Sequence, residues 1–145
     1  KDLSLSGDDL LLIAGPVIII VDEGVKVSGN AQIKVATNGS VIFYTPKDFN
    51  VSGNGIVNET EVASRMKIYG TSAVEEGQAL TLSGNATLVA VAYLPNASVS
   101  FSEYANMCGM VIGHSIRATG NSSIHYDEAI KEFKVGSSVE LTKND

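Results

Sequence analysis

Two residues of this chain, Cys108 and His125, have the types needed for a reactive pair. They lie 17 residues apart, which is also the offset between the last two copies of a repeat in the chain, so we expect them to be neighbours. A thiol beside an imidazole can act as an activated nucleophile or as half of a metal site. No third residue is placed to orient the pair, and two ligands seldom hold zinc. A packed thiol near a surface histidine is the favoured interpretation.

Acidic residues supply the other candidate chemistry, since paired carboxylates cleave glycosidic bonds. Four such pairs occur, but they fall at turns and do not share a position in the repeat: Asp22 with Glu23, Glu59 with Glu61, Glu75 with Glu76, and Asp127 with Glu128. Solvated turn charges are therefore the favoured interpretation, and a polysaccharide-cleaving enzyme is the alternative. The sequence contains no phosphate-binding glycine loop and no zinc-protease motif, so no catalytic residue, metal or cofactor is predicted.

Composition narrows the classes of partner. The 145 residues carry a formal net charge of −6, with 44% hydrophobic and 18% charged residues. This acidity argues against binding to nucleic acid or to anionic lipid. Cys108 is the only cysteine, so an internal disulfide is excluded. The length predicts a single domain, 1–145.

A short phrase recurs along the chain and predicts its architecture. It ends in Gly-Asn or a variant of it, and the reference residues are Gly7, Gly29, Gly53, Gly84, Glu103 and Gly120. Apolar residues occupy the positions four before, two before and four after the reference in every copy. The three columns are Leu3, Val25, Phe49, Leu80, Val99 and Ile116; Leu5, Val27, Val51, Leu82, Phe101 and Ala118; and Leu11, Ile33, Val57, Leu88, Met107 and Ile124.

Alternation of this kind, repeated in the same columns, is typical of a solenoid in which each copy forms one coil. We predict an all-β fold, a single-stranded parallel β-helix of about six coils. The irregular spacing favours a right-handed coil. Glycine in the turn accepts a positive φ, and the asparagines that follow it are expected to stack as a hydrogen-bonded ladder. The predicted turn ladder consists of Gly29, Asn30, Gly53, Asn54, Gly84, Asn85, Gly120 and Asn121.

Three segments depart from the repeat. Glu59 breaks an apolar column, which predicts an insertion over about 58–78 with protruding loops at 58–64 and 72–78. A C-terminal cap is predicted over about 126–145, with a short helix beginning at Asp127. The apolar stretch Leu10–Val21 is too short to span a membrane and is expected to be core, or a face covered by missing sequence or by another subunit.

The residues Val91–Ser102 and Gly109–Ile130, together with the repeated Ser-Gly-Asn phrase, resemble the β-helical domain of bacterial pilus-assembly and related surface proteins. Similar coils occur in polymer-forming bactofilins. The pattern departs from the family at Ser102–Met107, and no catalytic residues carry over. The resemblance implies a parallel β-helix, a cell-envelope or extracellular location in a bacterium, and non-enzymatic work.

The expected function is a non-catalytic spacer or adhesion module, with envelope or pilus proteins or glycans as partners. Because the chain begins at Lys1 without Met, a signal or anchor is expected to precede it. The alternatives are a self-assembling scaffold of the bactofilin kind and a carbohydrate-active enzyme. A homo-oligomer formed through the N-terminal coil is a further expectation.

Overall fold

The fold is described from a computed structural model, which places residues 1–73 and 76–130. The first three turns of chain each contain three strands. These are β1 (Leu3–Leu5), β2 (Leu10–Ile13), β3 (Pro16–Ile20), β4 (Val25–Val27), β5 (Gln32–Val35), β6 (Ser40–Thr45), β7 (Phe49–Val51), β8 (Ile56–Asn58) and β9 (Met66–Gly70). The later turns are formed by β10 (Gln78–Leu82), β11 (Thr87–Phe101), β12 (Asn106–Ala118) and β13 (Ser123–Tyr126).

These strands form a parallel β-solenoid of about five turns, which confirms the predicted fold class. Every described strand pairing is parallel. We call the three walls of the solenoid sides 1, 2 and 3. Side 1 contains β1, β4, β7 and β10, then the last residues of β11 and β12. Side 2 begins with β2, β5 and β8, and side 3 begins with β3, β6 and β9. The described residues of a sixth turn are the end of β12 and β13.

The register on side 1 matches the sequence repeat in every turn. Leu3 pairs with Val25, and this column continues through Phe49, Leu80 and Val99 to Ile116. The column that begins with Leu5 and ends with Ala118 is likewise as predicted. Ile116 and Ile124 are partly exposed because they lie in the last described turn, where no further described turn covers them.

The third predicted column is wrong at one position. Ile33 pairs with Ile56 rather than with Val57; Ile56 is buried and Val57 is only half-buried. The corner of the third turn is one residue shorter than that of the second turn. It contains Gly55, where a Cβ would come within 2.6 Å of the Val51 side chain. The shift by one residue also carries Asn58, rather than Glu59, into the inward position beside Val35.

The core is a single column of aliphatic and aromatic side chains running along the inside of the solenoid. Phe43 and Phe49 meet edge to face, with ring centroids 5.4 Å apart, a geometry that aromatic pairs prefer. Phe101, Ile68 and Leu82 are completely buried. All three sides therefore contribute to the same interior, and burial of these side chains is the main source of stability.

The predicted insertion, 58–78, is two separate excursions with a regular strand between them. Strand β9 lies inside that interval and pairs with β6 and β11 as part of side 3. The first excursion contains a 3-10 turn at Ala63–Arg65 that packs against the side of the solenoid. The second is fixed at its base, where Gln78 Nε2 donates to the carbonyl oxygens of Thr45 (2.9 Å) and Lys47 (2.7 Å).

The described part of the predicted C-terminal cap is a 3-10 turn at Glu128–Ile130. The side chain of Asp127 accepts a hydrogen bond from the Ala129 N–H at 2.9 Å, which fits its predicted role at the start of a helix. Ile130 packs with Ala63 and Val91 on the outside of the wall, so this turn covers a side of the solenoid. The remainder of the predicted cap, 131–145, lies outside the described residues. None of the described helical turns has the length or the apolar run that a membrane-spanning helix requires.

Candidate functional site

Cys108 and His125 are neighbours, as their spacing predicts. Strand β12 pairs with β13 so that Cys108 lies directly beside His125, and Val89 flanks Cys108 on its other side. The thiol is half-buried and the imidazole is exposed. No hydrogen bond joins the two side chains among those in the described residues, and that part of the chain contains no group of three or more metal-ligating side chains. Within residues 1–73 and 76–130, the pair therefore has no third group of the kind that nucleophilic or metal chemistry requires.

The predicted carboxylate pairs do not converge on one site. Asp22 and Glu23 lie at the corner after β3, and both are exposed. Glu59 forms an ion pair with Lys34 at 2.7 Å on side 2, and Glu76 approaches Lys47 at 3.6 Å in the second excursion. Glu61 occupies an exposed turn with φ of 54°, whereas Glu75 lies outside the described residues. Asp127 is used as a helix cap.

The repeated turn is a backbone feature more than a ladder of side chains. Gly29, Gly53, Gly84 and Gly120 have φ between 69° and 75°, and Glu103, which replaces glycine in the fifth copy, has φ of 62°. Neighbouring turns are so close that a Cβ on Gly53 would lie 2.4 Å from the Gly29 carbonyl oxygen.

The predicted asparagine ladder is reduced to one contact. Asn30 donates to Asp8 at 3.2 Å, while Asn54, Asn85 and Asn121 form no side-chain hydrogen bonds with one another in the described part of the chain.

Two shallow depressions lie on the outer surface of side 1. One has a volume of about 80 Å³ and the other about 190 Å³. The larger is bordered by Asp2, Glu23, Lys26 and Asp48, but Asp48 already accepts a hydrogen bond from the Ala79 N–H at 2.8 Å. Both are smaller than the roughly 300–1,000 Å³ typical of small-molecule sites.

The outer surface of side 3 carries a feature that the sequence predictions anticipated only in its first turn. One outward column runs from Ile20 through Tyr44, Tyr69 and Tyr93 to Ile112. The parallel column two residues earlier contains Ile18, Ile42 and Lys67 in the first three turns. We call these eight residues the side-3 strip: Ile18, Ile20, Ile42, Tyr44, Lys67, Tyr69, Tyr93 and Ile112.

The tyrosines of the side-3 strip pack on one another along the solenoid axis. The rings of Tyr44 and Tyr69 are stacked with centroids 5.3 Å apart, and those of Tyr69 and Tyr93 meet edge to face at 6.4 Å. Partial burial, with a contribution from Tyr44, raises the pKa of Tyr69 above its ordinary value. The ring faces are thus largely occupied by neighbouring rings, which leaves ring edges and isoleucine side chains on the surface.

The side-3 strip is most exposed at its two ends, in the first and the fifth turn. Ile18 and Ile20 are 63% and 74% exposed, and Ile112 is 38% exposed. In the later turns the adjoining column is covered, because Ala63 and Ile130 bury Val91 from outside and Met110 packs against this small cluster. The sequence contains a signal for the strip: the segments Val17–Val21, Val41–Tyr44 and Val89–Tyr93 are apolar at both odd and even positions, so they have an apolar outer face as well as an apolar inner one.

Comparison with known proteins identifies a family without a described activity. Residues 1–133 match the family designated Domain of unknown function (DUF7305), and the chain belongs to that family. No curated protein and no solved structure matches the chain.

Proposed function

We propose that this member of the DUF7305 family is a non-catalytic binding or spacer module displayed at a bacterial cell surface, in an assembly of pilus-associated or other envelope proteins. The resemblance of Val91–Ser102 and Gly109–Ile130 to β-helical domains of pilus-associated surface proteins motivates the location. The single observation that carries the proposal of a binding role is the side-3 strip, since soluble proteins seldom expose a continuous apolar patch without a partner.

Parallel stacking of turns suits a spacer. Each turn is held to the next by strand pairing on its sides, and the interior is one continuous column of apolar side chains. Such a rod positions a surface at a fixed distance from its attachment and bends little. Glycans and envelope proteins are the candidate partners.

The distribution of charged groups favours binding over catalysis. A β-helical glycosidase needs two carboxylates about 5–9.5 Å apart on either side of a sugar. Here Glu59 is paired with Lys34 on side 2 and Asp127 caps a turn beside β13, while Asp22 and Glu23 lie at the corner after β3. Glu59 and Asp127 both follow strands of side 2 but lie three turns apart, which is roughly 14 Å at about 4.8 Å per turn.

Labelling of intact cells tests the location. In a bacterium that carries this gene, an antibody against the domain is expected to label cells without permeabilisation. Labelling that appears only after the envelope is opened to the cytoplasm would contradict the proposal.

A reducing-sugar assay over a panel of polysaccharides tests for catalysis and is expected to show no activity. If sugar is released, and Glu59→Gln or Asp127→Asn abolishes that release, the enzyme is favoured instead. A glycan array distinguishes a sugar ligand from a protein partner.

A self-assembling scaffold of the bactofilin kind is a second candidate, and the N-terminal end of the solenoid favours it. Among the described strands, β1, β2 and β3 each have a partner on one edge only, and Leu10 and Leu12 of β2 are more than half exposed. Unpaired strand edges invite end-to-end addition. Electron microscopy of the purified chain at high concentration distinguishes the two: filaments favour the scaffold, whereas particles of one or two chains favour the module.

A further inference from the structure

We propose that the side-3 strip is the contact surface of a weak homodimer, in which two solenoids lie side by side with their axes parallel. The inference deepens the proposed function, because it names a second copy of this chain as the partner of the exposed apolar surface. The contact includes Ile18 and Ile20 of the N-terminal coil, where the sequence predicts an oligomer contact, and it extends along one wall of the rod rather than across its end.

The shape of the side-3 strip fits another sheet. Strands β3, β6 and β9 pair in continuous register without a bulge, so the outer side chains of the first three turns form regular rows. Proteins bury such a sheet face by packing it on a second sheet about 10 Å away. A copy of the same surface supplies rows with the same spacing.

The charges permit self-association through this face. Among the outward positions of the described side-3 strands, Lys67 is the one charged residue, and it has an interaction within its own chain. Covering the strip therefore buries a single charged group, and that group has an interaction within its own chain. Asp22 and Glu23 lie at the rim, next to Ile20, and the chain has a net charge of −6; both disfavour an anionic lipid surface as the occupant.

The relative orientation follows from Lys67. In one arrangement, a two-fold axis runs parallel to the solenoid axis, so that equivalent turns of the two copies face each other. The column that contains Lys67 in one copy then faces the column that contains Tyr69 in the other. That Tyr69 column contains no charged residue that would repel Lys67. If the two-fold axis runs along the strands instead, Lys67 of one copy lies opposite Lys67 of the other copy, and the two like charges repel. The parallel arrangement is also the one that two copies displayed from the same surface adopt.

The area sets the strength of the contact. Five turns at about 4.8 Å and a strip about 13 Å wide give roughly 300 Å² on each copy. The total is below the 1,200–2,000 Å² of stable complexes. We therefore expect a reversible dimer that forms as the concentration rises, rather than a permanent one.

Sedimentation of purified protein tests the inference independently of where the domain is displayed. The unchanged chain is expected to pass from monomer to dimer with rising concentration. Ile20→Glu is expected to raise the dissociation constant at least roughly tenfold, because it places a charge in the contact. Ser4→Glu adds the same charge on side 1 of the same turn, at another exposed position, and should leave the dissociation constant within about twofold of the original. Both sites are exposed, so neither variant threatens folding.

Four results would overturn the inference. The first is a monomer at every concentration, and the second is equal weakening by the two variants. The third is an unchanged dimer in Ile20→Glu, which assigns the contact to another surface such as the N-terminal end. The fourth is a monomer that binds phosphatidylcholine vesicles in a flotation assay and loses this binding in Ile20→Glu. This result would identify a neutral lipid surface, rather than a second copy, as the partner of the strip.

Discussion

The outer surface of side 1 has a polar residue in every turn, whereas the outer surface of side 3 has an isoleucine or a tyrosine in each of five turns. The polar column of side 1 consists of Ser4, Lys26, Asn50, Thr81, Ser100 and Arg117. Both sides cover the same apolar core, so folding requires only their inner columns to be apolar. The apolar outer column of side 3 is therefore in excess of what the fold needs, which is the reason to look for a binding role there and not on side 1.

The largest expected effect comes from the core that the two sides share. Leu82→Ala on side 1 and Ile68→Ala on side 3 each remove a completely buried side chain and should lower the free energy of unfolding by about 2–5 kcal/mol. Urea denaturation measures both, with Thr81→Ala as the control on the outer face. If one core variant is close to neutral, the two sides do not enclose a common interior.

A smaller effect is expected at the first excursion, which leaves side 2 after β8 and needs polar support that side 1 does not. Asn58 is buried, and its Nδ2 donates to the carbonyl oxygens of Val62 (3.1 Å) and Val89 (2.9 Å). Asn58→Ala leaves these acceptors unpaired and should lower the free energy of unfolding by about 1–3 kcal/mol. Asn50→Ala, on the outer column of side 1, should change it by less than about 0.5 kcal/mol. Equal values for the two would show that the first excursion is not anchored through Asn58.

The corners that follow side 1 offer a matched pair of glycines. Gly53→Ala adds a Cβ 2.4 Å from the Gly29 carbonyl oxygen at a φ of 69°, whereas Gly7→Ala meets no atom within 4 Å at a φ of 59°. In both variants the free energy of unfolding should fall by about 1–2 kcal/mol, because alanine must adopt the left-handed backbone conformation. Gly53→Ala should lose more in thermal unfolding because the turns must also move apart. A larger loss in Gly7→Ala would contradict the close stacking of the corners.

The smallest effect is expected from the outer columns themselves. A double-mutant cycle on Tyr44 and Tyr69, with leucine as the replacement, should give a coupling of about 0.5–1.5 kcal/mol from the stacked rings. The same cycle on Asn50 and Thr81, paired in the same way on side 1, with alanine as the replacement, should give a coupling close to zero. A coupling on side 1 as large as that on side 3 would remove the distinction between the two surfaces.

The repeat in the sequence predicted the fold because a solenoid places equivalent residues of each copy in contact. Glu103 illustrates this, since it takes the glycine conformation although its chemistry does not suggest it. The one-residue error at Val57 arose from a shortened corner at Gly55, which changes the register without changing the repeat phrase. The side-3 strip was anticipated only in its first turn, where Leu10–Val21 was expected to be core or a covered face. Its equivalents Val41–Tyr44 and Val89–Tyr93 were interpreted as buried strands, and sequence does not state which of two apolar faces is covered.

Hydroxyl-radical footprinting across a concentration series tests most directly whether the side-3 strip is the contact surface. Tyr44, Tyr69 and Tyr93 lie on the strip, whereas Tyr104 and Tyr126 are exposed elsewhere and report the reactivity of free tyrosine. Oxidation of the three strip tyrosines is predicted to fall as the dimer forms, while that of Tyr104 and Tyr126 stays constant. Unchanged oxidation of the strip at concentrations where the protein is dimeric, or protection centred on Tyr104 or Tyr126, would contradict the account.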